Sequence, residues 1–219
     1  MATPEYSPDD IEVIDGLNAV RRRPAMFVGP LDDPAAINTL LTESLCIALD
    51  NAITGCATAI TITMHDDGSA TVRDDGPGFD VEISHNGMTT IEILLTQLHA
   101  CRKAKQTLVN ETLCGIGIFA TNALSKSLVV ETVQHGWLWR QDYSCGKATG
   151  PIRKIEPAAE QWQQITFQPD PDIFGSSRLS SDYFSDWFLG KQFDLRSATV
   201  NLCHGTTSTQ LYPYPENAS

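Results

Sequence analysis

Residues 33–79 read DPAAINTLLTESLCIALDNAITGCATAITITMHDDGSATVRDDGPGF, and this stretch decides the fold. From Asp33-Pro34 the apolar residues Ile37, Leu41, Leu45, Ala48 and Ala52 step by four, four, three and four, laying one apolar face along a long helix that Gly55 terminates. Residues 58–64 switch to alternation, with Ile60, Ile62 and Met64 on one side of a strand. Asp66-Asp67-Gly68 then turns the chain into a second strand at 70–73, which makes a hairpin. The run Asp74-Asp75-Gly76-Pro77-Gly78 must follow as a tight turn with its backbone exposed.

Outward from this block the same reasoning orders the rest. Residues 1–10, with Pro4 and Pro8, have no period and read as an extended arm, while 11–22 predict a short helix that stops at Pro24. A helix is expected over 89–99, a polar mobile loop over 101–110, and a further helix opening at Gly115-Ile116-Gly117 and running to Leu124. Residues 127–133 and 137–143 read as a hairpin, 163–167 as a strand, 183–192 as a helix and 198–203 as a last strand; 146–157 and 168–177 read as loops. Helices and antiparallel strands without strict alternation point to an α+β two-layer sandwich of mixed β-sheet and helices. The expected division is an arm at 1–15, one domain at 16–205 and a polar tail at 206–219.

The 219 residues, 42% apolar and 19% charged, suit one generous globular domain. Fifteen basic against 27 acidic residues give a net charge of −12, a field that repels a polyanion, so DNA binding by this chain alone is not expected. No apolar run is long enough for a membrane span and the N-terminus lacks a secretory pattern, so the expected location is the cytoplasm. The six cysteines form no C-x-x-C pair and read as thiols, and the five histidines show no metal-ligand spacing.

Three features in order carry the chemistry. Glu43, Ile47 and Asp50 lie at i, i+4 and i+7 on the long helix, so one strip points acids at a common space. Asp74, at the end of a strand, is acceptor-only when ionised and can receive the exocyclic amine of a purine. Gly76 and Gly78 let a flat ring or backbone come close, and Gly115 and Gly117 can bring N–H groups to phosphates at a helix start. Taken singly, each has a plainer alternative: a solvated helix carboxylate, a turn-forming Asp, a simple Gly-x-Gly turn.

Residues 11–29, IEVIDGLNAVRRRPAMFVG, together with Glu43 to Gly55, DDGPGF at 74–79, Leu98-His99-Ala100, 115–124 and Arg140-Gln141, resemble the N-terminal ATPase domain of the DNA gyrase B and topoisomerase IV B proteins, a GHKL (Bergerat) fold. The resemblance implies that Glu43 is the general base that polarises the water attacking the γ-phosphate of ATP. It implies that Asp74 holds the adenine amine between Val72, Phe79, Leu94 and Ile165, with Gly76 and Gly78 in the adjoining turn and Gly78 close to the base. Asp50 lies on the same helix strip; Gly115, Gly117 and Lys103 would serve the phosphates. Tyr6, on the arm, would reach the nucleotide of a second copy in a homodimer, and a gyrase-type protein partner is implied with it.

The departures bear on the same chemistry. Ile47 stands where the family has the Asn that ligands magnesium, and it offers no oxygen. The glycine-rich lid reads Glu111-Thr112-Leu113-Cys114-Gly115-Ile116-Gly117, and an unscreened acid beside phosphate repels by about 1–4 kcal/mol near a surface. The family's Arg after Asp-Asp-Gly is Pro77, its Glu partner is Asn51, and the Thr supporting the adenine-binding Asp is Gln163. Two readings follow: a gyrase-B-like module that binds ATP and hydrolyses it slowly, or a degenerate paralogue that acts as a non-catalytic binding or regulatory partner.

Overall fold

A computed structural model describes residues 15–83, 87–98, 116–191 and 193–214. Helix α1, Gly16–Arg22, starts where the Asp15 carboxylate accepts the Asn18 N–H, and it ends just before Pro24. After the single turn α2, Ala25–Val28, comes the long helix α3, Pro34–Ile53, capped by Asp33 with proline in its first turn. The residues of the apolar step, from Ile37 to Ala52, are all buried, as are Leu40 and Leu49 on the neighbouring strip. Burial on more than one face makes α3 the central helix of the domain. Each fully enclosed Leu of α3 contributes about 1.5–3 kcal/mol.

Strands β1, Ala59–Met64, and β2, Ala70–Asp74, form the expected hairpin with Ile62 opposite Val72. Helix α4, Thr90–Thr96, is capped by Thr89, and α5, Ile118–Ala123, follows Gly117. The chain continues as β3, Ser125–Gln134; β4, Trp137–Ser144; β5, Lys147–Ala148; β6, Arg153–Pro157; and β7, Gln163–Pro169. Helices α6, Pro171–Phe174, and α7, Ser181–Leu189, precede β8, Thr199–His204, and β9, Thr207–Tyr212.

The described strands make one nine-stranded mixed sheet in the order β5-β4-β3-β7-β2-β1-β8-β9, with β6 also on β4. β1 and β8 run parallel, and the other pairings are antiparallel. α3 lies on β1, β2 and β7 and meets α5 and α7, so helices cover one face of the sheet. This is the α+β two-layer sandwich expected. Its core runs along α3 and closes under α7 with Phe184, Phe188 and Phe193, the last two with ring centroids 5.0 Å apart.

Four local readings change. The segment read as a loop at 146–157 contains β5 and β6; β6 is exposed along its whole length, so it has no alternation to read, and backbone pairing with β4 holds it. Part of the stretch read as a polar tail is β9, paired with β8, in which Leu211 alone is buried. α6 opens inside the loop expected at 168–177, capped by Asp170. Cys56, Cys145 and Cys203 are free thiols as read, whereas Cys46 is disulfide-bonded. Among the described residues no helix is long and apolar enough to cross a membrane.

Candidate functional site

Successive turns of α3 place Glu43, Ile47 and Asn51 along one side of the helix, at i, i+4 and i+8, over about 12 Å of its axis. Glu43 is 3% exposed. Its carboxylate accepts the Gly117 N–H at 2.7 Å and the Ile116 N–H at 3.3 Å, which ties the central helix to the start of α5. Gly117 has φ +82, a left-handed conformation that turns these amides inward and that a side chain would strain. The amide expected to face a phosphate is thus bonded in this structure to the carboxylate expected to polarise water.

At the other end of the strip, Asn51 donates from Nδ2 to Asp74 Oδ1 at 2.9 Å. Asp74 closes β2, and the sheet register sets its neighbours: Ile60, Asp74, Gln163 and Thr132 form one row across β1, β2, β7 and β3. The next row on the same buried face is Ile62, Val72, Ile165 and Val130. A polar row thus borders an apolar one. Gln163 Nε2 donates to Asp74 Oδ2 at 2.9 Å, and the Gly76 N–H donates to Oδ1 at 3.0 Å. Burial raises the Asp74 carboxyl above the usual range, against the opposing pull of these three donors.

The adjacent acid has a different task. Asp75 accepts the N–H groups of Thr58 and Ala59 at 2.7 and 2.9 Å and the Thr58 hydroxyl at 2.6 Å, fastening the turn to the start of β1. Partial burial raises its carboxyl, but the Thr58 hydroxyl and the two amides outweigh burial and leave it below the ordinary value. Pro77 presents its carbonyl to the Gln134 and Gln161 side chains at 2.5 and 2.6 Å. Two glutamines thereby hold the turn at the position of the family's arginine.

Beside this strip Ile47, Phe79, Ile91, Leu94, Leu95, Ile118, Val130 and Ile165 pack into an apolar cluster that leaves no room for a water molecule. Pockets that enclose whole ligands measure roughly 300–1,000 Å³, so a ligand enters this cluster only if its side chains part. Of the expected walls, Phe79, Leu94 and Ile165 line it. Val72 does not: it is buried in the sheet beside Ile165. Gly78 has φ +77, and a Cβ there would meet Thr132 Oγ1 at 2.5 Å, so its close approach is to β3. Asp50 is half-buried on α3. Gly115, Lys103 and Tyr6 lie outside the described residues.

The resemblance put Gln163 where the family's Thr supports the adenine-binding Asp, and Gln163 does contact Asp74; Asn51 was named only as a departure, without that contact. Residue spacing could have placed Asn51 two turns after Glu43; nothing local could have paired Gln163 with a residue 89 positions earlier. Ile47 packs in the apolar cluster, the Glu43 carboxylate accepts two amides, and among the described residues no group of three or more His, Cys, Asp or Glu could hold a metal.

No family model matches the chain. The DNA gyrase B protein of Clostridium acetobutylicum is 36% identical over 183 residues, 82% of this chain and 29% of that protein. The DNA topoisomerase 4 B protein of Streptococcus pneumoniae is 33% identical over 217 residues, 97% of this chain and 33% of that protein. The chain thus spans a third or less of the length of these relatives. Among solved structures, the 43K ATPase domain of Thermus thermophilus gyrase B in complex with an aminocoumarin superposes with a TM-score of 0.78 at 29% identity, covering 90% of this chain and 51% of that one.

Proposed function

The chain belongs to the gyrase B and topoisomerase IV B family over the region of the ATPase fold, and from that premise we propose that it is an ATP-binding module that hydrolyses the nucleotide slowly. The observation that carries the proposal is Asp74: a buried carboxylate, held by three donors, in the sheet row next to the one that gives Ile165 to the apolar cluster. Such a group is an acceptor for a base amine, and Phe79, Leu94 and Ile165 offer the ring its apolar contacts. The phosphates extend toward Gly117, with Gly115 and Lys103 contributing from the same segment.

Hydrolysis uses Glu43. Its carboxylate takes a proton from water as the water oxygen attacks the γ-phosphorus; the bond to the β-phosphate oxygen breaks, leaving ADP and inorganic phosphate. To do so it must exchange the Gly117 N–H for water. With Ile47 offering no metal ligand and Glu111 in the lid, charge stabilisation is weak, and a low turnover follows. The arm, with Tyr6, pairs two copies; the working partner is a gyrase-type protein in the cytoplasm, and at net charge −12 this chain does not hold DNA itself.

Titrating ATP into the protein and following phosphate release tests this. Saturable binding is expected, with turnover that Glu43→Ala lowers by about 100-fold or more while binding persists. No binding, or turnover unchanged in Glu43→Ala, would reject it.

A further inference from the structure

We infer that β9 is a docking edge for a second copy of this chain, which adds its own β9 antiparallel and carries one sheet through both molecules. β9, Thr207–Tyr212, ends the strand order, and among the described residues no strand pairs on its far side. Thr207, Ser208, Thr209 and Gln210 are all exposed. Such an edge presents unpaired N–H and C=O groups, and folded proteins usually blunt it with charge, proline or a very short strand. The opposite edge is blunted in that way. There β5 has two residues, and β6 carries Arg153, Lys154, Glu156 and Pro157 with a register shift against β4. β9 has no charge and no proline, and its one register shift lies beyond Gln210.

The hairpin fixes which groups point outward. Gly205-Thr206 makes a two-residue turn with Gly205 at φ +57, so His204 and Thr207 exchange both backbone bonds and the pairing alternates from there. Leu202 and Thr209 are bonded in the same manner. Ser208 and Gln210, opposite Cys203 and Asn201, therefore turn their N–H and C=O groups away from β8. The Cys203 Sγ and Ser208 Oγ lie 3.5 Å apart, in keeping with the closer side chains of a pair without backbone bonds. A second β9 run antiparallel about a two-fold axis at Thr209 sets Ser208 opposite Gln210 of the other copy, and Gln210 opposite its Ser208. Those two pairs exchange N–H···O=C bonds, and the two Thr209 side chains meet between them as a favourable cross-strand pair.

Charge selects a second copy over other strands. Each chain carries −12, so two copies repel unless they meet where acids are absent. Residues 197–215 contain no Asp, Glu, Lys or Arg, the longest such run in a chain that is 19% charged. β8, the turn and β9 all lie within it. A charged peptide or a nucleic acid finds no counter-charge on these strands, whereas the same edge from another molecule meets it with no like charges opposed. The inference is independent of the nucleotide reading and uses no residue of the arm.

Sedimentation velocity of the full chain from about 5 µM to 1 mM tests this, with hydrogen exchange of the β9 amides at both ends of the range. A strand pair of this size buries little surface, so a reversible dimer is expected in the upper part of the range. There the β9 amides should exchange about threefold or more slower. Thr209→Lys and Thr209→Glu each oppose two like charges and should weaken association about tenfold or more, and mixing the two variants should restore it. Ser208→Pro removes an outward N–H without touching a bond to β8, and should weaken association as much with no rescue. Thermal melts show which variants are folded. A monomer at 1 mM, a dimer that folded Thr209→Lys and Ser208→Pro leave unchanged, mixed variants that stay apart, or β9 amides that exchange alike at both concentrations would overturn the inference.

Discussion

Replacing Gly76 by alanine gives an effect whose sign depends on the Asp74 clamp. Gly76 does not have a left-handed φ. Without steric conflict, alanine would therefore stabilise the protein by about 0.4–1 kcal/mol through the unfolded chain. The structure requires the opposite. The new Cβ would lie 2.5 Å from Asp74 Oδ1 and 2.7 Å from Asn51 Nδ2, both below the 3.0 Å that real Cβ atoms respect, so the carboxylate or the turn must move by at least about half an ångström. The 2.9 Å bond from Asn51 and the 3.0 Å bond from the Gly76 N–H cannot both survive that shift. At about 1.5–3 kcal/mol for a hydrogen bond to a charged group, Gly76→Ala should destabilise the fold by about 2–4 kcal/mol at neutral pH. The loss should shrink as pH falls and Asp74 protonates, because a neutral acid needs fewer donors. Urea unfolding across pH is the assay. A Gly76→Ala protein as stable as the parent, or more stable, would refute the clamp geometry.

Other perturbations probe separate parts. Leu45→Ala, at a fully buried site on α3, should cost about 2–5 kcal/mol in urea unfolding. Arg21 reaches Asp170 at 2.6 Å and the Ala123 carbonyl at 2.8 Å, and because Asp170 is buried, Arg21→Ala should cost about 3 kcal/mol by the same measurement. Asp75 titrates below its ordinary value, so its stabilisation is present above the unfolded-state pKa and is lost as pH falls through the folded one. Asp75→Asn should therefore lower stability near neutrality and flatten the acid-side slope of unfolding. Ile47→Asn places an amide in the apolar cluster and should cost about 1–3 kcal/mol of stability while making ATP binding depend on magnesium; calorimetry with and without the ion reads the second effect.

Much of the architecture could be read from residue order because local patterns and tertiary burial agree. The step from Ile37 to Ala52 and the alternation at Ile60, Ile62 and Met64 both describe faces that are buried in the fold. The edge strands could not be read this way. β6 is exposed throughout, and β9 buries only Leu211, so neither leaves a hydrophobic period, and backbone pairing across the sheet fixes both. At the site, Glu43, Asp74 and Gly117 were visible as residue types in a telling order, and the contact of Glu43 with Gly117 joins two of them. Around Asp74 only Gln163 was indicated, through the resemblance and not through any local pattern. Gln163 meets it through a strand register, and Thr132 takes the space beside Gly78 through the next strand over, both long-range consequences of β7 and β3 pairing. Asp75 was read only as part of the turn, and its amide partners at the start of β1 give it a task of its own.

The most direct measurement is a calorimetric titration of ATP into the unaltered chain and into Asp74→Asn, with thermal melts to confirm that both are folded. Saturable binding by the former, lost or weakened at least about tenfold in the latter, is the expected result. Equal binding by the two folded proteins, or none by either at about millimolar ATP, would contradict the assignment of Asp74 as the group that receives the base.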